Sequence, residues 1–166
     1  MLQAGDHVIY KNNGVCRIEK IGPIDFGTAP RRDYYVLHPV AGDGTFYVPV
    51  ENEGGFRKIP SREEIDRLIQ QTENSRLKWI ENSKVRIAAF DRMLASEDRE
   101  AILWIVKMLS QKKEEEQAKN KKLCSNEERI LATAERIITD EFSYALELPK
   151  AEVIPYILKQ IEESEA

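Results

Sequence analysis

Two periods of hydrophobicity divide the chain into two parts. In the first 57 residues, short apolar stretches such as His7–Tyr10 and Gly14–Ile21 alternate with polar residues and are separated by turns. An alternation with a period of two predicts half-buried β-strands. From Ser61 onwards, apolar residues recur every three or four positions, which is the period of amphipathic helices.

The first part is predicted to form four or five short strands. The strands are expected at His7–Tyr10, Gly14–Ile21, Tyr34–His38 and Thr45–Val48, with turns at Lys11–Gly14 and Gly42–Gly44 and a loop over Gly22–Arg32. So few strands cannot build a two-sheet sandwich, but they suffice for a small, strongly bent barrel. The pattern therefore predicts a barrel of the SH3 or Tudor kind.

The second part is predicted to form about five helices. Their starts are expected at Ser61 and Ser125, which each open a capping box, at Ser96, at about Leu77 and after Pro149. The helix that begins near Leu77 is expected to continue to Ala95 and to carry Trp79 close to its start. In the last helix, Pro155 removes an interior hydrogen bond, so this helix either begins near Val153 or is kinked.

Composition supports this division. All eight glycines lie in the first 55 residues, and five of the seven prolines lie in the first 60. Because glycine and proline are excluded from helix interiors, the change in composition separates a region of strands and turns from a helical one. The sequence thus predicts an α+β protein, with a β-barrel domain over residues 1–57 and an all-helical domain over residues 61–166.

Candidate chemistry is sparse. The sequence has no glycine-rich phosphate loop and no catalytic or zinc-binding motif. The two cysteines are far apart, and we expect a buried thiol at Cys16 and an incidental reduced thiol at Cys124. We therefore predict no enzymatic activity, no metal and no cofactor. The longest uncharged apolar run, Ala101–Val106, is much shorter than the ~20 residues of a membrane-spanning helix, so a soluble, cytoplasmic protein is expected.

The net charge of −4 bears on nucleic-acid binding. Residues 61–166 contain 18 Lys and Arg against 22 Asp and Glu, whereas a protein that binds DNA tightly by itself is usually basic. The run Lys112–Lys122 is either the solvated end of a helix followed by a loop, or a local contact for DNA phosphates. Trp79 has two interpretations as well, interhelical packing or a surface contact, whereas Trp104 lies in an apolar stretch and is expected in the core.

The order of several short motifs resembles that of a known family. In the first part these motifs are Gly5–Tyr10, Asn13–Gly14, Tyr34–Leu37 and Phe46–Asn52, and in the second part they are Met93–Asp98, Leu123–Arg129 and Ala134–Leu146. This combination is similar to the CarD/CdnL family of bacterial transcription regulators. The amino-terminal RNA-polymerase-interacting domain of that family also occurs in transcription-repair coupling factors. The resemblance covers nearly the whole chain.

The resemblance implies a bacterial transcription regulator that binds the β subunit of RNA polymerase through a strand edge. Carried over to this sequence, the docking residues are Thr45, Phe46, Tyr47, Val48 and Pro49. The helical domain is implied to reach promoter DNA at the upstream edge of the melted region, where an aromatic wedge and basic side chains stabilise the open complex. The implied DNA-binding residues are Trp79, Lys84, Arg86, Lys121, Lys122 and Arg129.

The sequence departs from the family pattern at the wedge. Family members often carry a tryptophan at the position of Ser83, whereas Trp79 lies four residues earlier, which is one turn on a helix. Polymerase docking is therefore better supported than a DNA wedge. The main alternative function is a protein-interaction adaptor that never contacts DNA, and an enzyme of unknown type is a weaker third.

Overall fold

The computed structural model of the protein describes residues 1–27 and 31–165, which fall into two compact units. The β unit comprises Met1–Ile59, and the helical unit begins at Pro60. Each unit has a hydrophobic core of its own. Within the described residues, no helix is both long enough and apolar enough to cross a membrane.

The described residues of the β unit form five strands and a short 3₁₀ helix. The strands are β1 (His7–Tyr10), β2 (Val15–Ile24), β3 (Arg32–Pro39), β4 (Phe46–Pro49) and β5 (Phe56–Arg57), and the 3₁₀ helix is Val50–Gly55. They form one antiparallel sheet in the order β4-β3-β2-β1-β5, so that β4 and β5 are its edges. Alternate residues face one core, among them Ile18, Leu37 and Val48. The predicted Tudor-like domain is confirmed.

The second strand is longer than predicted. β2 continues to Ile24 and pairs with β3 there, so the predicted loop is wrong where it starts, at Gly22. Proline has no backbone N–H to donate. Pro23 is tolerated in this strand because the ladder between β1 and β2 ends at Arg17, so no hydrogen bond to β1 is required from Pro23. Residues 28–30 of the predicted loop lie outside the described residues.

Five α-helices form the helical unit. They are α1 (Arg62–Gln71), α2 (Ser83–Ala95), α3 (Arg99–Ala118), α4 (Ser125–Leu146) and α5 (Lys150–Glu165). Ser61 caps α1 as predicted, because its Oγ accepts a hydrogen bond of 3.1 Å from the backbone N–H of Glu64. Trp104 is buried in the core, also as predicted. The arrangement confirms the α+β fold expected from the sequence.

α2 begins at Ser83 and not near Leu77. Asn82 provides the cap, since its Oδ1 accepts a hydrogen bond of 3.0 Å from the backbone N–H of Val85. Residues 77–81, where the sequence predicted the first turns of this helix, are not helical. Trp79 consequently lies outside α2, and the expected helical turn between Trp79 and Ser83 does not form.

Two other predicted caps are also wrong. Asp98 and not Ser96 caps α3, because its Oδ1 accepts a hydrogen bond of 3.0 Å from the backbone N–H of Glu100, and Ser96 ends α2 instead. Ser125 is the first residue of α4, preceded by Cys124, whose side chain makes no capping bond.

The last helix resolves the alternative left open at Pro155. α5 starts at Lys150, so the later start near Val153 is wrong. Pro155 lies inside this helix and leaves the carbonyl of Ala151 without its helical donor. Ala151 is exposed, so water satisfies that carbonyl at little cost.

Candidate functional site

β4 is an edge strand of the β unit. It pairs with β3 from Leu37↔Phe46 to Tyr34↔Pro49, and among the described strands none pairs with its other side. Pro49 ends the strand and prevents its extension. A strand in this position presents a row of backbone N–H and C=O groups to which a partner strand can add.

The predicted docking residues take alternating positions along this strand. Val48 is 3% exposed and belongs to the core, whereas Tyr47 is 48% exposed on the opposite face. Phe46 packs against Tyr10, with the two ring centroids 5.6 Å apart. Thr45 is exposed and precedes the strand, so β4 itself contributes the other four predicted residues.

A surface cavity of about 370 Å³ opens at the end of β4. Val48 and Pro49 line it from the strand, Tyr10 lines it from β1, and residues of the 3₁₀ helix complete it. The cavity therefore lies beside the last two residues of β4. It has the size of an amino-acid side chain or larger and offers a recess beside an added strand.

Three aromatic rings, which we call the aromatic cluster, lie on the face opposite the core, two of them 48% exposed and the third, Tyr34, 9% exposed. It consists of Phe26, Tyr34 and Tyr47. Phe26 follows β2 and stands alone between polar or small neighbours, so no periodicity pointed to it in the sequence. Only the pairing of β3 with β4 brings the two tyrosines beside it.

Trp79, in the helical unit, lies beside three charged side chains, those of Arg86, Lys112 and Glu127, which we call the cation cluster. The Arg86 guanidinium carbon lies 4.5 Å from the centroid of the Trp79 ring, and Lys112 Nζ lies 5.3 Å from it. Trp79 also packs against the core, with its ring 6.1 Å from that of Phe90. The structure thus favours packing over an exposed contact for Trp79.

Arg86 is 6% exposed and is held from several sides. Its Nη1 donates hydrogen bonds of 2.8 and 3.1 Å to the carbonyls of Ile80 and Glu81. Its Nη2 lies 3.7 Å from Glu127 Oε1. This predicted DNA-binding residue therefore fastens the segment before α2 to the helices and is not available at the surface.

Glu127 is the buried anion of the cation cluster. Lys112 Nζ donates to both of its carboxylate oxygens at 2.9 Å, and the Cys124 thiol donates to Oε1 at 3.1 Å. Burial alone raises the pKa of Glu127, but these hydrogen bonds outweigh burial and hold its pKa below the ordinary value. The sequence analysis placed Lys112 only in the polar run Lys112–Lys122 and missed its pairing with Glu127, because that pairing joins α3 to α4 across a loop.

The remaining predicted DNA-binding residues are exposed. They are Lys84, Lys121, Lys122 and Arg129. Arg129 forms hydrogen bonds of 3.1 and 3.2 Å with the Asp91 carboxylate. The cation cluster joins the start of α2, the end of α3 and the start of α4. Lys84 lies at the start of α2, and Lys121 and Lys122 lie between α3 and α4, so these three lysines are at the same end of the helical unit. Within the described part of the chain, no His, Cys, Asp or Glu side chains group as metal ligands.

Comparison with known proteins identifies the β unit. Residues 2–60 match the family model described as the CarD-like/TRCF RID domain. No curated protein matches the chain. The matched range covers all five strands, and the resemblance found in the motifs of the first part is confirmed. The chain therefore carries, over residues 2–60, a CarD-like/TRCF RID domain, which is an RNA-polymerase-interacting domain.

Proposed function

We propose that this chain is a cytoplasmic bacterial transcription regulator without enzymatic turnover. Its β unit binds the β subunit of RNA polymerase by offering the free edge of β4 to a strand of that subunit. Its helical unit then modulates the open promoter complex. The observation that carries this proposal is the edge of β4 that no described strand pairs, within an RNA-polymerase-interacting domain.

Strand addition suits the geometry of β4. Backbone hydrogen bonds along the free edge supply affinity, and side chains that alternate between the two faces supply specificity. Tyr47 offers a large, half-exposed ring on one face, and the cavity at Pro49 offers a recess beside the strand. Tyr47 and the two β4 residues that line the cavity, Val48 and Pro49, are consecutive, so one short partner strand engages both features together.

We assign the DNA contact to exposed lysines and not to a wedge. Lys84, Lys121 and Lys122 can each meet a backbone phosphate, whereas Trp79 and Arg86 hold the helical unit together. Three lysines in a protein of net charge −4 bind DNA weakly by themselves. Docking on polymerase raises the effective concentration of the helical unit near the promoter, which compensates for this weakness.

Affinity for the isolated β subunit tests the docking step. Tyr47→Glu places a charge where a ring becomes desolvated on binding, and we expect the affinity to fall about thirtyfold, or about 2 kcal/mol. Tyr144→Glu is the matched control, because Tyr144 is similarly exposed but lies in the helical unit. Both variants are first checked for folding by circular dichroism. Equal affinity of Tyr47→Glu and the parent protein contradicts docking through β4.

The second candidate function is an adaptor that contacts polymerase but not DNA. The burial of Arg86 and the packing of Trp79 favour it, because they remove two of the six residues proposed for DNA. A photocrosslinker at Lys122 in a polymerase–promoter complex separates the two candidates. Crosslinks to promoter DNA support the regulator, whereas their absence together with an unchanged open-complex lifetime supports the adaptor.

A further inference from the structure

Phe26 is an exposed aromatic residue that the fold holds in a defined position. The Asp25 carboxylate accepts a hydrogen bond of 2.8 Å from the backbone N–H of Gly27 and so closes a tight turn around Phe26. Gly27 adopts a φ of 81°, a conformation that favours glycine. The Phe26 ring is 48% exposed although the turn and its ring neighbours restrain it.

Phe26 rests on two rings of the β3–β4 ladder. Its centroid lies 5.2 Å from that of Tyr34 and 5.4 Å from that of Tyr47, with interplanar angles of 85° and 86°. Tyr34 pairs with Pro49, two positions beyond Tyr47, so the two tyrosines are diagonal neighbours on one face. Phe26 therefore sits over the ladder directly beside the free edge of β4.

About half of the surface of Phe26 and of Tyr47 stays in contact with water in the free protein. A strand added to β4 places side chains of the same face about 5 Å from Tyr47, within reach of the Phe26 ring. Tyr47 belongs both to the edge and to the aromatic cluster, so the two surfaces are continuous. Rigid aromatic rings of this kind bury a large area at a small cost in conformational entropy.

We propose that the aromatic cluster is the anchor site for one aliphatic side chain of the polymerase β-subunit strand that pairs with β4. This inference rests on the proposed docking and adds the chemistry of the residue that is bound. The half-exposed rings of Phe26 and Tyr47 offer apolar surface that an aliphatic side chain removes from water on binding. An aliphatic side chain held there also fixes the register of the added strand.

The test compares affinities of the full chain for the isolated β subunit. Phe26→Ala removes the ring and is expected to weaken binding about tenfold. Phe26→Leu keeps apolar surface and is expected to stay within about threefold of the parent protein. Val40→Ala is the control, because Val40 is 51% exposed in the same unit and lies outside the cluster. Equal binding by Phe26→Ala and the parent protein overturns the proposal.

The leucine variant separates an aliphatic side chain from a cationic one. A cation held by the ring faces needs an aromatic residue, so an equal loss in Phe26→Leu and Phe26→Ala overturns the aliphatic assignment. Loss of binding in Tyr47→Glu without any loss in Phe26→Ala leaves the docking strand intact and overturns only the anchor. A parent protein that fails to bind the β subunit overturns both.

Hydroxyl-radical footprinting of the parent protein gives a readout that needs no variant. Addition of the β subunit is expected to lower the oxidation of Phe26 and Tyr47 together. Oxidation of Tyr144, which is exposed in the helical unit, serves as the internal reference. Protection of Tyr47 without protection of Phe26 overturns the proposal even if the Phe26 variants fold poorly.

Discussion

Replacing Trp79 with alanine distinguishes a structural tryptophan from a DNA wedge. In the structure its ring packs on Phe90 and lies within cation–π distance of Arg86 and Lys112. Alanine removes all of these contacts at once and leaves Arg86 buried beside a void. We therefore expect Trp79→Ala to destabilise the helical unit, with any effect on promoter opening following from that loss.

The contacts of Trp79 set the expected magnitude. Truncating a fully buried tryptophan costs about 3–5 kcal/mol, and a half-buried ring accounts for roughly half of that. Each cation–π contact adds on the order of 0.5–1 kcal/mol. The free energy of unfolding is thus expected to fall by about 2.5–4.5 kcal/mol. Trp79→Phe retains an aromatic ring and is expected to lose about 1 kcal/mol.

Urea unfolding of the full chain measures this loss. Far-ultraviolet circular dichroism reports mainly on the five helices, and the fluorescence of Trp104 reports on their core. With an m-value of about 2 kcal/mol/M, the transition midpoint is expected to move down by about 1.2–2.2 M. The same variant should bind the polymerase β subunit as tightly as the parent protein does, because Trp79 lies outside the β unit.

One combination of results refutes the reasoning. If Trp79→Ala unfolds at the same urea concentration as the parent protein but shortens the lifetime of the open complex, Trp79 acts on DNA directly. The packing role assigned to it is then wrong. If stability and lifetime fall together, and Trp79→Phe restores both, the structural role stands.

Three further predictions concern charge and thiol exposure. Glu127→Gln is expected to cost about 3 kcal/mol at neutral pH by leaving buried cations uncompensated. The folded state lowers the pKa of Glu127, so the stability that its carboxylate contributes is complete above the ordinary pKa of 4.5. This stability is lost as the pH falls through the folded-state pKa. The urea midpoints of the variant and the parent protein should therefore converge in acid. The double variant Lys121→Glu, Lys122→Glu should shorten open-complex lifetime without changing β-subunit affinity, and an unchanged lifetime at low salt contradicts the DNA contact. A thiol reagent at pH 8 should modify Cys124 in the folded protein and Cys16 only after denaturation. Cys16 is fully buried, and burial raises its pKa to about 11. Mass spectrometry of the labelled peptides checks this.

The sequence by itself determined the features that depend on local chemistry. The confinement of glycine to the first 55 residues separated strands from helices, since backbone preference acts residue by residue. Ser61 marked the start of α1, because a cap needs only a backbone N–H three residues away. The strand ended by Pro49 was likewise visible, and the order of motifs in the first part identified its family.

The tertiary structure decided which residues meet across those elements. Arg86 looked like a surface cation in the sequence, and its burial depends on Glu127 and Lys112, which two other helices supply. Phe26 had no periodic pattern, and it acquires neighbours only when β4 pairs with β3. The topology of the chain brings together side chains that are far apart in sequence, and local propensities carry no information about which of them will meet. The start of α2 shows the same limit, because the sequence placed it near Leu77, whereas in the structure Asn82 caps the helix and Trp79 packs on the core from the non-helical segment before it.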